Sequence, residues 1–302
     1  MPGITRNGVR IDDSFAEAFP MRGTALLITG PNRKWARQAA VTMTGFATSV
    51  IGCGVEAGID VEVDPRDTPD GRPGVRVLVF AMSSTELQNQ ITNRVGQCVL
   101  TSPGSACFAD LKAPDELKVG DLLRYFGDGW QISKKFGDRH FWRIPVMDGE
   151  FLCEATTSFT KGAVGGGNLL ICGADYESTL RAAEAAKEAM DKVKGAIMPF
   201  PGGIVRSGSK VGSRYKVLHA STNDAFCPTL RGQVATSLDD DLNCVLEIVI
   251  DGLTEAAVAD AMRAGLAAIV KLGAKRGARR VSAGNYGGKL GPFHFHLKEL
   301  AP

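Results

Sequence analysis

Residues 245–251 read Val-Leu-Glu-Ile-Val-Ile-Asp, an apolar run in which one carboxylate, Glu247, has aliphatic neighbours on both sides. A short apolar run of this kind is typical of a strand buried in a sheet. Because side chains alternate between the two faces of a strand, Glu247 shares its face with Val245 and Val249. It meets water there only if the face borders a cleft. We therefore interpret Glu247 either as a functional carboxylate or as a buried one tied to a donor elsewhere in the chain.

This strand opens a unit that occurs twice in the second half of the chain. Each copy has an apolar strand, an alanine-rich helix and a second strand that runs into a glycine-rich turn, at 168–213 and at 243–291. The first half has units of the same kind, with a strand at 24–29 and a helix from Asn32, as its N-cap, to Thr44. Tandem βαβ units predict an α+β fold of ferredoxin-like lobes, with helices on one face of an antiparallel sheet.

A doubly wound sheet is the alternative fold. No strand leads into a G-x-G-x-x-G turn with an acid about twenty residues later, so the sequence gives no support for a dinucleotide-binding fold. Turn-forming residues at 145–150 mark the boundary between the two halves. We therefore predict a first lobe at 1–147 and a second at 148–302.

Bulk composition excludes several classes of protein. The 302 residues are enough for two domains. With 35 basic and 33 acidic residues, the formal charge of +2 argues against a dedicated nucleic-acid-binding protein. No apolar run approaches the ~20 residues of a membrane helix, so we expect a cytoplasmic protein. The seven cysteines are scattered and never spaced C-x-x-C, which indicates reduced thiols rather than disulfides or a zinc site.

Glycine-rich turns end both copies of the repeat, with Lys210 and Lys289 in similar places. Such turns expose backbone N–H groups that receive anionic or carbonyl-rich ligands, although most glycine turns only join strands. Tyr286 inside one turn could stack on a flat heterocycle or simply cover the bend. From these turns we predict Gly202, Gly203, Ser207, Ser209, Lys210, Asn285 and Tyr286 as substrate-binding residues, and the motif at 220–223 that is described below adds Ser221 and Asn223.

Other polar residues have a less specific pattern. Glu150 and Glu154 alternate with apolar residues, and a solvated strand face is the favoured interpretation. His294 and His296 share one face of a strand and could chelate a metal, but no third ligand is spaced nearby. We therefore favour a hydrogen-bonding role and predict no metal site.

Cations cluster after the last helix. A helix C-terminus favours positive charge, and such side chains are usually solvated. The alternative is a guide for a polyanionic substrate tail. The cluster comprises Lys271, Lys275, Arg276, Arg279 and Arg280.

Several ordered motifs together resemble the formylmethanofuran:tetrahydromethanopterin formyltransferases over essentially the whole chain. The motifs that carry the resemblance are Asp13-Ser-Phe-Ala-Glu-Ala-Phe-Pro20, Thr68-Pro-Asp-Gly-Arg-Pro-Gly74, Phe126-Gly-Asp-Gly129, Pro199-Phe-Pro-Gly-Gly203, Ser207-Gly-Ser-Lys-Val-Gly-Ser213, Ala220-Ser-Thr-Asn223, Glu247-Ile-Val-Ile-Asp-Gly252 and Ser282-Ala-Gly-Asn-Tyr-Gly-Gly288. Matches of this number and length, in the same order, are not expected by chance.

The resemblance implies formyl transfer between the amine of a furan-type carrier and N5 of tetrahydromethanopterin, through a tetrahedral intermediate. Methanofuran, or methylofuran, and the pterin are then substrates, and no tightly bound cofactor or metal is implied. The acid/base carboxylate maps to Glu247. The resemblance also implies two ferredoxin-like lobes, with roughly the last 25 residues packed back on the first, and a homotetramer.

A near-neutral charge departs from the strongly acidic members that we associate with hot or salty settings. It favours a mesophile such as a methylotrophic bacterium, where the protein would resemble the formyltransferase subunit of a formyltransferase/hydrolase complex. Its partners there would be hydrolase-like or dehydrogenase-like subunits. The transfer would serve formaldehyde oxidation to formate or methanogenesis. The alternative function is a non-catalytic subunit that holds the carrier for the hydrolase.

Overall fold

The computed structural model describes residues 3–302. Its strands are β1 Ile4–Arg6, β2 Val9–Ile11, β3 Phe15–Thr29, β4 Thr48–Ser49, β5 Val55–Val63, β6 Gly74–Ala81, β7 Ala106–Ala109, β8 Asp115–Lys118, β9 Ile132–Phe136, β10 Arg139–Val146, β11 Gly149–Glu154, β12 Thr156–Gly173, β13 Ala196–Ile197, β14 Ser209–Val211, β15 Ala220–Thr222, β16 Cys244–Gly252, β17 Arg280–Ser282 and β18 Phe293–His296. The α-helices are α1 Arg33–Thr44, α2 Val50–Cys53, α3 Ser84–Arg94, α4 Gly120–Leu123, α5 Tyr176–Met190, α6 Glu255–Leu272 and α7 Leu297–Leu300.

The chain forms a mixed α/β fold that divides into two compact units. Unit one comprises the chain up to Phe19 together with Val164–Asp251 and Glu255–Pro302. Unit two comprises Pro20–Ala163 and Gly252–Thr254. Each unit has its own cluster of buried apolar side chains.

Unit one holds both copies of the sequence repeat. Strand β17 pairs with the Leu170–Cys172 part of β12, and β12 and β13 both pair with β16. The C-terminal strand β18 lies antiparallel to Phe15–Ala18 of β3, so the two ends of the chain meet in this unit. A short ribbon of β14 and β15 forms a separate two-stranded sheet.

Helices α5 and α6 pack closely because glycines remove side chains at the points of contact. A Cβ added to Gly265 of α6 would lie 2.1 Å from Cε of Met190 in α5. A Cβ added to Gly167 of β12 would lie 2.4 Å from Cγ1 of Val258 in α6. The sequence predicts one apolar stripe for α5, formed by Leu180, Ala183, Ala186, Met190 and Val193. The structure buries Ala183, Ala186 and Met190 fully and the other two in part. This packing supports the strands that carry the polar residues described below.

Unit two is built on the Arg22–Thr29 part of β3. Strand β6 lies antiparallel to these residues, and β5 follows β6. On the other side β7 pairs with β3, and β11, β10 and β9 continue from β7. Buried residues of α1 and α3 belong to the apolar cluster of this unit.

The expected antiparallel sheets are wrong, because the sheets are mixed. Strand β17 is parallel to β2, with Val281 opposite Ile11, and β11 is parallel to β7, with Cys153 opposite Cys107. Parallel pairing needs a long connection between the two strands. Both pairs are separated by long stretches of chain, so the two strands of each pair can enter the sheet from the same end.

Local signals predict helix starts better than helix ends. Asn32 caps α1 through a hydrogen bond from Trp35 N–H, and Gly45 follows its last residue, as predicted. We also expect a helix from Ser83 to end at Gly96 before a strand at 98–100. Ser83 does cap α3, but residues 95–99 continue as a π-helix and form no strand. Val95 and Val99 are buried there, so packing extends the helix through the glycine.

Helices that could cross a membrane do not occur in the described part of the chain, since none is both long and apolar enough.

The Asn32 cap gives a test of the fold. Asn32→Ala should lower the free energy of unfolding by about 1 kcal/mol, because the Trp35 N–H loses its acceptor. Chemical denaturation measures the change. Asn32→Ser keeps an accepting oxygen and should restore most of the loss, whereas an equal loss in both variants would argue against the cap as its cause.

Candidate active site

Strand β16 places Glu247 at the centre of the candidate site. Its backbone forms two hydrogen bonds with Val205, with N···O distances of 2.7 and 2.9 Å. Its neighbours Leu246 and Ile248 are buried in the core. These contacts fix the backbone of Glu247, so the direction of its side chain is set by the sheet and not by a mobile loop.

The Glu247 carboxyl lies in an environment that disfavours its charge. Burial raises its pKa from 4.5 to about 7, although a hydrogen bond from Asn168 acts in the opposite direction. Nδ2 of Asn168 donates to Oε1 at 3.1 Å. On the other side Gly208 leaves room for the carboxyl, since a Cβ there would lie 3.0 Å from Oε2. A carboxyl with a pKa near neutrality can both accept and donate a proton at physiological pH.

Asn168 is held in the orientation that lets it donate to Glu247. Its Oδ1 accepts the N–H of Gly284 at 2.8 Å, so its Nδ2 must face the carboxyl. Asn168 belongs to β12, Glu247 to β16, and Gly284 follows β17. Three segments that are distant in sequence therefore meet at the side chain of Asn168. The sequence patterns did not indicate Asn168 as a site residue.

The β14–β15 ribbon carries four predicted residues. Ser209 and Lys210 lie in β14, Ser221 lies in β15, and Asn223 follows it. Lys210 forms an ion pair with Asp224 at 2.5 Å. Oγ of Ser221 donates to Gly212 O at 2.7 Å, which uses this hydroxyl inside the ribbon.

Asn285 and Tyr286 lie in the second glycine-rich turn. The Asn285 amide donates to Oγ of Ser14 at 3.1 Å. The Tyr286 hydroxyl is 3.4 Å from the carbonyl oxygen of Ser209, so this ring reaches the ribbon. Burial, followed by the charges of Glu247 and Glu17, raises the pKa of Tyr286. The phenol is therefore within electrostatic reach of the Glu247 carboxyl.

Two adjoining clefts in unit one contain most of these residues. The small one, of about 40 Å³, is lined by Glu247, Gly208 and Arg206 among others. The large one, of about 730 Å³, is lined by Ser209, Lys210, Asn223, Asn285 and Tyr286 together with charged residues. Asn223 and Phe226 line both clefts, so the two clefts are neighbours, and we call them together the depression.

The remaining predicted residues do not line either cleft. Gly202 and Gly203 form a tight turn with φ of 63° and 78°, and the N–H of Gly203 donates to Phe200 O. Ser207 is exposed, next to Gly208. Ser221 of the ribbon lines neither cleft either, so these four residues stay predictions as substrate contacts.

Charged residues that the sequence patterns placed elsewhere line the large cleft. Arg280, assigned to a solvated cluster, is mostly buried and forms a bidentate pair with Asp12, in which Nε lies 3.0 Å from Oδ1 and Nη2 lies 2.6 Å from Oδ2. Arg10 pairs with Asp239 beside it. Arg279 of the same cluster pairs with Asp241. The sequence signal that could have located these ion pairs was the high density of charged residues after the last helix.

The weaker candidates have partners that explain them. Glu150 pairs with Arg143 at 2.5 Å, and Glu154 pairs with Arg139 at 2.6 Å. Nε2 of His294 lies 3.1 Å from Gly291 O. Among residues 3–302 no group of three or more His, Cys, Asp or Glu is arranged to hold a metal ion.

Comparison with known sequences identifies the family. The family model described as formylmethanofuran-tetrahydromethanopterin formyltransferase matches residues 4–146, and the model of its proximal lobe matches residues 149–300. The chain belongs to this formyltransferase family. Its two-domain organisation follows from the same two matches, and the strand of Glu247 lies in the part that matches the proximal lobe.

Individual relatives match over nearly their whole length. The formylmethanofuran–tetrahydromethanopterin formyltransferase of Methylococcus capsulatus is 62% identical, with 97% of this chain and 98% of that protein covered. A subunit of the formyltransferase/hydrolase complex of Methylorubrum extorquens is 56% identical, with 99% and 98% covered.

Solved structures agree with this chain in fold. The crystal structure of the Methylorubrum extorquens complex with methylofuran contains a chain with a TM-score of 0.97 and 99% coverage of both chains. The formyltransferase of Methanosarcina barkeri has a TM-score of 0.93 at 44% identity, with 98% of this chain and 100% of that chain covered. The fold is thus shared between bacterial and archaeal members.

The raised pKa of Glu247 predicts a pH-dependent stability. Between pH 4.5 and 7 the unfolded chain releases this proton while the folded chain keeps it, so stability is lost as pH rises through this range and is constant above it. The loss is about 3 kcal/mol at most, since one pKa unit is ~1.4 kcal/mol.

Glu247→Gln removes this titration and provides the comparison. The free energy of unfolding, measured at about pH 5 and about pH 8, should fall more for the wild type than for the variant. Subtracting the change measured for the variant from the change measured for the wild type removes the contributions of the other titrating groups, which both proteins share. Equal pH dependence in both proteins would contradict the raised pKa.

Proposed function

We propose that this chain transfers a formyl group between an N-formyl methanofuran-type carrier and N5 of tetrahydromethanopterin. Membership of the family over 4–146 and 149–300 carries the proposal. The Glu247 carboxyl, with a pKa of about 7 beside an open depression, supports it because acyl transfer between two nitrogens needs a proton to be moved.

The reaction is an exchange of amines at one carbonyl. The lone pair of the accepting nitrogen attacks the formyl carbon, and the C=O π pair moves onto oxygen to give a tetrahedral intermediate. Glu247 takes the proton of the incoming nitrogen and gives it to the departing nitrogen. The C–N bond to that nitrogen breaks as the C=O bond re-forms. No net proton or electron is gained or lost.

Binding is proposed for the residues that line the depression. Ser209, Lys210, Asn223, Asn285 and Tyr286 offer hydroxyl, ammonium, amide and ring contacts. Tyr286 presents the flat surface that a pterin or furan ring would stack on. Holding both substrates against Glu247 contributes to the rate by proximity as well as by proton transfer.

The carboxylate role predicts a specific kinetic defect. Glu247→Gln should lower kcat by roughly 10²–10⁴-fold, the range expected for loss of a general acid/base, with KM for both substrates nearly unchanged. The change in pterin absorbance during formyl transfer measures the rate. Glu188→Gln, which neutralises an exposed carboxylate of α5, is the matched control and should retain full activity. Full activity in Glu247→Gln would reject the assignment.

A non-catalytic carrier-binding subunit is the second function considered. The observation that favours this alternative is the similarity to a subunit of the Methylorubrum extorquens formyltransferase/hydrolase complex. The same assay separates the two, because a carrier-binding subunit would bind both substrates and transfer nothing at any pH.

We also propose an assembly for the chain. The chain alone forms a homotetramer, and hydrolase-like subunits add to it in a larger complex, as the name of the Methylorubrum extorquens relative suggests for that protein. Native mass spectrometry of the chain purified alone should give four times 32.0 kDa. A monomer of full transfer activity would contradict the tetramer. The cytoplasmic location stays a prediction.

Two ferredoxin-like lobes at 1–147 and 148–302 complete the proposal. The gap between the two family matches, after residue 146 and before 149, supports this boundary. Residues 1 and 2 lie outside the described residues. The compact units divide the chain after Ala163 instead, since the β10–β11 hairpin spans residues 146 and 149. Limited proteolysis that cuts near residue 163 and spares 147 would argue against the proposed boundary.

A further inference from the structure

Glu17 is a second carboxylate inside an apolar strand, and the proposed mechanism does not use it. It lies in β3 between the buried Ala16 and Ala18 and is only 2% exposed. Strand β18 pairs with this part of β3 and places His294 opposite Glu17. Buried charge of this kind is costly unless donors surround it.

The donors are four backbone N–H groups of a single turn. Oε2 accepts from Tyr286 at 2.7 Å and from Gly288 at 3.0 Å. Oε1 accepts from Gly291 at 3.0 Å and from Leu290. Burial by itself would raise the pKa of Glu17, but the four donors together lower it. Glu17 is therefore an anion at neutral pH.

The turn can surround the carboxylate because of its glycines. Gly287 and Gly288 have φ of 71° and 73°, in the left-handed region that other residues rarely adopt. This conformation turns successive N–H groups toward one point, the arrangement that binds anions in proteins.

The same residue also holds the start of the turn through its backbone. The N–H of Glu17 donates to Gly284 O at 3.2 Å. Gly284 in turn gives its own N–H to Asn168, the side chain that donates to Glu247. Residue 286, fixed by the Glu17 carboxylate, carries the ring within electrostatic reach of Glu247.

We infer that Glu17 is a positioning residue for formyl transfer: its carboxylate holds the turn at 284–291 so that Asn168 and Tyr286 enclose the carboxyl of Glu247. The inference rests on the proposed role of Glu247. Glu17 acts through the turn and takes no part in proton transfer, because its carboxylate is already occupied by four donors.

Glu17→Gln tests the inference with almost no change of size. An amide has one accepting oxygen, and its NH₂ group would face two of the four N–H donors, so half of the turn loses its anchor. Water then reaches Glu247. The pKa of Glu247 should then fall from about 7 by about one unit or more. Burial, which raises this pKa, is the larger of its two causes, so contact with water lowers the pKa by more than loss of the Asn168 hydrogen bond raises it.

The readout is the titration of Glu247 itself. Infrared spectroscopy follows the band of its protonated carboxyl, assigned by its absence in Glu247→Gln. The other titratable or charged groups near Glu247 are Tyr286, Arg206 and Cys227. The pH profile of kcat should shift in the same direction, and Glu17→Asp, which keeps the charge, should restore part of the shift.

The matched control is Glu56→Gln, a buried carboxylate of unit two that accepts the N–H of Val50. It should lower the thermal stability and leave the Glu247 titration unchanged. If Glu17→Gln does not fold, Gly288→Ala disturbs the same turn by strain at its positive φ and should shift the titration in the same direction. An unchanged titration in the folded variant, with a loss of stability like that of Glu56→Gln, would overturn the inference. A wild type without transfer activity would instead reject the proposed function, and the infrared arm would still decide the inference.

Discussion

A carboxylate inside an apolar sheet must either find enough donors or give up its charge, and unit one contains both outcomes. Glu17 meets four backbone N–H groups and is held as an anion. Glu247 meets one side-chain donor and is held near the point of protonation. The difference in pKa between two residues of the same type comes from the number of donors that the fold delivers to each.

The delivery of those donors depends on the pairing of segments far apart in sequence. Gly284 follows β17, which pairs with β12, and β12 also pairs with the strand of Glu247. Helix α6 packs closely on α5 at Gly265 and on strand β12 at Gly167, and this packing supports these strands. The same core that stabilises the unit thus fixes the electrostatic environment of the Glu247 carboxyl.

Local patterns were enough for the strand at 24–29 and for the cap at Asn32, since each depends on residues within one element, and they singled out Glu247 as an unusual carboxylate. Local patterns did not predict the features that depend on contacts between residues far apart in the sequence. The pattern that singled out Glu247 also describes Glu17, whose donors lie about 270 residues later. Asn168 bonds a residue 79 positions away and had no signal of its own. The parallel pairs and the helical residues 95–99 depend likewise on packing that no local window contains.

The β14–β15 ribbon carries Ser209 and Lys210 but belongs to neither main sheet. A two-stranded hairpin alone is marginally stable in water, and its strands here are three residues each. This wall of the depression therefore opens at a lower free energy than the core, as local fluctuations of native proteins do. Transient melting of a few ribbon hydrogen bonds would therefore widen the depression, while strand β16, which holds Glu247, stays paired with β12 and β13.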